Sequence, residues 1–540
     1  MKRIYSLFIG ALRLIGLNAD PINRVLGASY ETIATKTLDQ YVTDNAAVKQ
    51  QLWIDRVLDT NGASYQSTPF ADGMTGRIKV GKPANDSQLK KAVVEITDTS
   101  KVRGDTINIF STAGIGGEGV TGDSARNGTE AQIISGNFTV QIGNQLFSLG
   151  YKQSAVDKSM IGKDVIESKE FNDGLRNLHC KKKNETIIWR MLQNAAHTRS
   201  GGVNTSTGYG SASWQNGTNN GGDNFIFPAG VSTREQLRSA HTIDLPTIMA
   251  AGDVLPGLGA MPMDTTSDSG GSVGELYMFM AADKSLYDLE ADPTLTQVLQ
   301  YGWDRGVNNP IFAGGFTKIR GHGLYRWVHR DHANYDSIGS PLLPRAKLSV
   351  ATTSASTTLR GGGSLNGAAT DTAPQWFKHF SNAPVSLYGM SAANSIALST
   401  ATTRYALVIS AAGYSVFSYT SNNGNLITIA SNVVSTCSFA HPIGSVIVEC
   451  NSAGTAIGRS LMFGAQAVVG GNGSINGSVA SPEMGRIVRQ ELDMQNDISI
   501  GVEGCAGYSA VTRAGDGAYP GFVVIEHALS PTAVPGAPTT

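Results

Sequence analysis

The chain has 540 residues, 41% of them hydrophobic, which is enough for several domains around a large buried core and excludes wholesale disorder. Charged residues make up 16% and the formal net charge is −1, so the strong basic excess of a dedicated nucleic-acid binder is absent. Glycine is abundant at 63 residues and Ser, Thr, Ala and Asn are over-used, a mix suited to long loops, extended arms and surfaces covered by other copies of the chain.

At the N-terminus, Lys2 and Arg3 precede an apolar run from Ile4 to Leu17. Arg13 interrupts the run and no small-residue cleavage motif follows it. Ile4, Phe8, Leu12 and Ile15 share one helical face, so the reading favours an amphipathic arm over a signal peptide. No other stretch approaches the length of a membrane span. A second amphipathic stretch runs from Ala47 to Leu58.

From Asp105 to Tyr151 the pattern is that of strands. Ile107 to Phe110 leads into a glycine-rich segment, and Ile133-Ile134, Phe138 to Val140 and Gln145 to Leu149 return. This predicts two strand arms joined by a flexible tip at Thr121 to Glu130, a ribbon that needs a neighbour to lie on. Gly114, Gly116 and Gly119 match GxGxxG, but no helix opens at the third glycine, so a loop is favoured over a dinucleotide site.

Asp164 to Ala196 carries the strongest helical pattern, with Phe171, Leu175, Leu178, Ile188, Met191, Leu192 and Ala195 at three-to-four spacing. Such a helix spans about 45 Å. Lys181, Lys182 and Lys183 interrupt the apolar face and read as solvated. Residues 200–223 read as a loop, and Ser232 with Glu235 form a capping-box pattern predicting a helix through Ala240.

Between Gly274 and Trp327 several signals follow in series. Leu276 to Ala282 fits a buried strand, Asp283 opens a short helix, and Pro293 starts a second. The turn Asn308-Asn309-Pro310 and Ile311-Phe312 lead to Lys318 to Gly321 and a strand ending at Leu324 to Val328. Past Arg345 the composition shifts. Residues 346–452 are rich in Ser, Thr, Ala and Gly, with alternating runs at Tyr405 to Ile409, Tyr414 to Tyr419, Leu426 to Ile429 and Val446 to Val448. Asn422-Asn423-Gly424 supplies a hairpin turn, and the segment reads as an all-β insertion. Ile457 to Ala467 reads as helix-like, late strands follow at Ile498 to Val502, Tyr508 to Thr512 and Phe522 to Glu526, and the Pro-rich tail from Ser530 reads as an arm or disordered.

Sites for chemistry are sparse. Cys180, Cys437, Cys450 and Cys505 show no CxxC spacing, which fits a reducing cytoplasm; a hairpin disulfide between Cys437 and Cys450 is the less favoured reading. Cys180 lies within a helix without an identifiable base. His329, Asp331 and His332 could seed a metal site, but polar residues between a strand end and an insertion more often face solvent. No catalytic, cofactor-binding or metal residue is nominated.

Taken in order, four stretches resemble the major capsid proteins of tailed bacteriophages: GDTINIFSTAGIGGEGVTGD (104–123), the run from Ser148 to Leu192, the Gly274–Trp327 segment with its NPIF turn and GHGLY strand, and GRSLMFGAQAVV (458–469). The resemblance covers about 105–330 and 455–528. It implies an α+β fold of the Hong Kong 97 type: an N-terminal arm (1–66), an extended loop with peripheral strands (67–160), a spine helix and peripheral domain (161–225), an axial domain (226–345), the all-β insertion (346–452), a closing axial and peripheral segment (453–528) and a tail (529–540). The function implied is structural, not enzymatic: a subunit forming hexamers and pentamers of an icosahedral head around double-stranded DNA, assembled in the host bacterial cytoplasm. Partners implied are copies of the same chain, scaffolding, portal and decoration proteins, and DNA held without sequence specificity; no cofactor, metal or membrane is implied. The alternative is a secreted β-rich surface or adhesion protein.

Overall fold

The computed structural model describes residues 74–79, 85–97, 104–112, 135–143, 146–147, 151–154, 169–195, 207–208, 224–231, 234–266, 272–301, 318–319, 322–327, 338–362, 376–381, 403–424, 426–475, 478–479, 486–492, 497–512 and 519–538. The N-terminal arm, the Ala47–Leu58 stretch, the ribbon tip, the GxGxxG glycines, the Asn308–Phe312 turn and the His329–His332 cluster lie outside them.

Helices and sheets are segregated, and the fold is α+β. Its centre is a mixed sheet with spatial order Lys318–Ile319, His322–Trp327, Ser272–Ala282, Ile457–Phe463, Phe522–Ala528, Phe225–Phe227 and Thr207–Gly208, with Met263–Thr266 paired to Ser272–Ala282. Every residue of the strand Ile457–Phe463 is buried. It pairs antiparallel with both neighbours, Met280 opposite Leu461 on one side and Leu461 opposite Val524 on the other. A strand covered on both faces loses the alternation that marks a half-buried one, which is why this segment reads as helix-like in the sequence and is a strand in the fold.

The pleat splits the sheet's side chains between two cores. Phe279, Ala281, Met462, Val523 and Ile525 pack with Ile248, Ala251, Leu255 and Leu258 of the helix Leu245–Leu258. Met280, Leu461, Phe463 and Val524 pack on the other face with Ile187, Ile188, Trp189, Met191 and Leu192 of the long helix Lys169–Ala195. The helix Leu245–Leu258 was hidden in the sequence by Gly252 and Pro256; Asp244 caps it by accepting from the Thr247 N–H, and Gly259 closes it with φ 87°. The helices Asp283–Glu290 and Pro293–Tyr301 begin at the expected residues. The expected helix after Ser232 is only a single 3-10 turn, Arg234–Gln236, because the chain turns aside there for the buried contacts of Arg234.

A second sheet, Thr75–Lys79, Val93–Thr97, Val468–Asn472 and Ala506–Ala510, flanks the long helix. A hairpin of Arg486–Leu492 and Asp497–Gly504 pairs with Leu146–Phe147 and Tyr151–Ser154. A third, seven-stranded antiparallel sheet runs in the order Ile338–Ser340, Leu343–Lys347, Val446–Cys450, Arg404–Ser410, Gly413–Asn422, Leu426–Ser435 and Thr358–Arg360. One face closes over Phe377, Phe380, Ala406, Phe417 and Ile427. The other is sealed by the C-terminal tail: Leu529 and Ala533 are buried against Leu407, Val416 and Val448, and Val534 and Ala537 pack beside them. The tail is therefore a packed part of the fold in residues 530–538, held because its small apolar side chains cover an otherwise open sheet face.

Candidate functional site: an anchored ribbon and a buried charge junction

The strands Thr106–Thr112 and Ser135–Gln141 form an antiparallel ribbon, Ile107 opposite Val140 and Ile109 opposite Phe138. Its two faces have different fates. Ile107, Ile109, Phe138 and Val140 point to the second sheet and pack with Val94 and Val469. Thr106, Asn108, Phe110, Asn137, Thr139 and Gln141 point away and are exposed, Phe110 at 79%. Two glycines let the ribbon lie directly on that sheet. A Cβ on Gly507 would sit 2.0 Å from the Gln141 carbonyl oxygen, and one on Gly471 would sit 2.4 Å from Ile107 Cδ1. The root is closed by Gly104 N–H to the Ile142 carbonyl and Ile142 N–H to the Asp105 carbonyl, both 2.9 Å. The result is a fixed root with an uncharged outer face carrying a large unburied aromatic ring.

The scaffold behind the ribbon is locked by ionised side chains. On the long helix, Lys183 is buried, with Nζ 2.6 Å from Glu95 Oε1, which also accepts from the Tyr508 hydroxyl at 2.9 Å. The expected solvated lysine face is thus corrected at Lys183: the second sheet covers that side of the helix, and Glu95 supplies the counter-charge. Two residues along, Glu185 accepts from Lys378 Nζ at 3.1 and 3.3 Å and pairs with Lys182 at 3.5 Å. Glu185 holds the Lys182 ammonium up, but Lys378 and burial outweigh it and bring Lys182 down to about 8. Trp189 Nε1 donates to His379 Nδ1 at 3.1 Å. The turn Trp376–Ser381, part of the 346–452 segment, is thereby bound to the long helix.

The same turn reaches a second buried ionic cluster. Glu449, at the end of the third sheet, accepts from Arg234 Nη1 at 2.8 Å, from Arg459 Nη2 at 2.5 Å and from the Ser381 hydroxyl. Arg234 Nε donates to Glu526 of the central sheet at 2.5 Å, and Arg459 Nη1 donates to the His379 carbonyl at 3.1 Å. Burial alone would raise the Glu449 carboxyl, but Arg459 and Arg234 outweigh it and hold it down to about 2. Burial likewise opposes the Arg234 charge, and Glu526 and Glu449 prevail and raise its pKa. Nearby, Asn451 Nδ2 donates to the Leu237 carbonyl at 2.7 Å and Ser452 N–H to Glu235 at 2.8 Å. Sequence alone did not expose this junction, whose members are spread from Arg234 to Glu526.

A cleft of about 510 Å³ is lined by Asp244, Asp288 and Asp292. Their oxygens accept from the backbone N–H groups of Thr247, Ser530, Leu245 and Thr294, so these carboxylates serve as caps and latches. Burial raises the Asp288 carboxyl, against the hydrogen bonds from Ser530. Among the described residues, no three His, Cys, Asp or Glu side chains come together as a metal-binding group. None of the described helices is long and apolar enough to cross a membrane. The four cysteines form no disulfide; Cys437 lies in a loop and Cys450 ends a buried strand.

No family model matches the chain, and a search of curated proteins finds no match. Among solved structures the chain is similar to the capsid of Ralstonia phage GP4, at 14% identity and TM-score 0.47, over 89% of this chain and 95% of that one. It is also similar to the capsid asymmetric unit of cyanophage Pam1, at 12% identity and TM-score 0.45, over 89% and 95%. A third likeness is to the head structure of Helicobacter pylori bacteriophage KHP40, at 11% identity and TM-score 0.46, over 91% and 97%.

Proposed function

We propose that the chain is the major capsid protein of a tailed bacteriophage, built on the Hong Kong 97 plan with the subdivisions given above. It self-assembles into hexamers and pentamers of an icosahedral head around double-stranded DNA. The observation that carries this reading is the ribbon: its inner face is bound to the second sheet, while its outer face presents Phe110 uncovered by the described residues. A lone exposed aromatic on an anchored ribbon suits burial against a neighbouring copy. The buried charge junction suits the same role, since a shell tile must transmit load between the third sheet and the central core without hinging. A formal net charge of −1 suits a container that encloses DNA without gripping it. Scaffolding, portal and decoration proteins and assembly in the host cytoplasm belong to this proposal, and the work is done by interfaces.

The experiment compares shell formation by the full chain with that of Phe110→Asp and of a deletion of Thr121 to Glu130. Because Phe110 is exposed within its own chain, the Asp variant is expected to fold as the parent does, by circular dichroism and thermal unfolding, and to lose assembly. Both variants assembling as the parent does would overturn the reading.

A further inference from the structure

At one end of the third sheet a polar cluster surrounds Cys437. The strand Leu426–Ser435 runs into a loop, Thr436 to His441, in which Ser438 and Phe439 adopt left-handed φ of 53° and 61°. Neither is glycine, so the loop holds them there against their preference. Thr436 fastens the loop by accepting from the Tyr414 N–H at 2.9 Å and donating to the Tyr414 carbonyl at 3.2 Å. Gly413 makes the approach feasible, since a Cβ there would lie 2.3 Å from Thr436 Oγ1.

One assignment of donors satisfies the short contacts of the cluster. Ser435 Oγ accepts from the N–H groups of Cys437 at 3.1 Å and Phe439 at 2.9 Å, so its own hydrogen is free to go to Ser415 Oγ at 2.7 Å. Ser415 then donates to His441 Nε2 at 2.7 Å. That leaves the imidazole proton on Nδ1, facing Ser410 Oγ at 2.9 Å. In that assignment Nε2 is unprotonated, and Cys437 Sγ, which also donates to the Tyr414 carbonyl at 3.9 Å, lies 3.5 Å from Nε2 and 3.5 Å from Ser415 Oγ. Burial holds the His441 imidazole below its ordinary pKa, in keeping with a neutral ring. His441 and Ser415 are buried, whereas Cys437 is only half-buried.

We propose that Cys437 is a covalent modification site, a thiol with His441 as its built-in base, that forms mixed disulfides with small-molecule disulfides. This goes beyond the capsid reading and stands without it. The Cys437 S–H proton passes to Ser415 Oγ as the Ser415 proton passes to His441 Nε2. The Cys437 thiolate then attacks one sulfur of the disulfide; a new S–S bond forms, the old one breaks, and the leaving thiolate takes the proton from His441. The exchange is redox-balanced and needs no other reagent. After the transfer, Ser415 accepts from His441 Nε2–H and from Ser435 and donates to the thiolate, so the charged pair is fully hydrogen-bonded. Two of the other cysteines are set apart by burial, Cys450 and Cys505, and burial pushes the Cys450 thiol well above its ordinary pKa; Cys180 is half-buried like Cys437.

The test treats the full folded chain with 5,5′-dithiobis(2-nitrobenzoate) at neutral pH, follows release of the aromatic thiolate, and maps the labelled peptide by mass spectrometry. Cys437 is expected to be the fast site, reacting at least about tenfold faster in the folded chain than in the same chain unfolded in denaturant. Cys437→Ser abolishes the fast phase. Ser410→Ala, which removes the partner of His441 Nδ1, slows it while the sheet remains folded. Oxidised glutathione then labels the same residue. A folded Cys437 that reacts no faster than the unfolded one, or a fast phase mapped to Cys180, would overturn the proposal.

Discussion

Glu449 lies between two guanidinium groups with a serine hydroxyl completing its shell, and all of these partners are buried. Removing one member of a buried charge cluster leaves the others desolvated and uncompensated. Glu449→Gln keeps the shape and deletes the charge, so urea unfolding is expected to show a loss of roughly 3–5 kcal/mol. An unchanged midpoint would mean that the junction is not a structural tie. The residue scale is also where sequence reading was weakest. Lys183 looked like part of a solvated run because its partner, Glu95, belongs to a distant strand that only the fold brings alongside. Ser232 and Glu235 looked like a helix start, yet the side chains of Glu235 and the adjacent Arg234 are spent on tertiary contacts with Ser452, Glu449 and Glu526. Local patterns carry no record of a partner hundreds of residues away.

Elements whose signal is local were legible. The helices at Asp283 and Pro293, the long helix, and the strands Arg404–Ser410 and Gly413–Asn422 fall where periodicity and turn residues put them. Of the candidate ribbon, the alternation of Ile107, Ile109, Phe138 and Val140 was readable, but the uncovered state of Phe110 was not, because it depends on what the rest of the chain leaves open. Two elements misled for the same reason, that burial depends on context. Ile457–Phe463 is covered on both faces and lost its alternation. The Pro-rich tail looked unattached but fills a face of the third sheet, where Gly536, at φ 89°, brings the backbone close to Ile409. Truncation after Leu529 removes that cover and is expected to lower the thermal midpoint by several degrees, at roughly 2–4 °C per kcal/mol lost. It should also speed proteolysis between Arg404 and Cys450. A truncated chain as stable as the parent would refute a sealing role.

On the scale of the whole molecule, the central sheet, the long helix and the third sheet share one set of buried polar ties, and these set its response to acid. His527 is fully buried, with Nδ1 facing the Ala528 carbonyl and Nε2 facing Ser460 Oγ, each at 3.0 Å. Burial lowers its pKa from 6.5 to about 4. A histidine held neutral in the fold contributes stability that is complete above its unfolded pKa and is lost as pH falls from 6.5 towards 4. Glu449, lowered from 4.5 to about 2, adds a second window of loss below the first. Each shift corresponds to roughly 3 kcal/mol. Stability measured by denaturant is therefore expected to fall in two stages on acidification, and His527→Gln should reduce the first alone, leaving the smaller part due to His322 and His441, also lowered by burial. A profile unchanged in that variant would show that His527 does not set the upper window.

The central claim is that this chain builds a shell, and negative-stain electron microscopy of the purified full-length protein, with size-exclusion chromatography beside it, tests it most directly. The account predicts closed shells, tubes or rings of five or six subunits that disappear in Phe110→Asp. A monomer whose mature N-terminus is found cleaved after about residue 17, the mark of the secreted alternative, would contradict it.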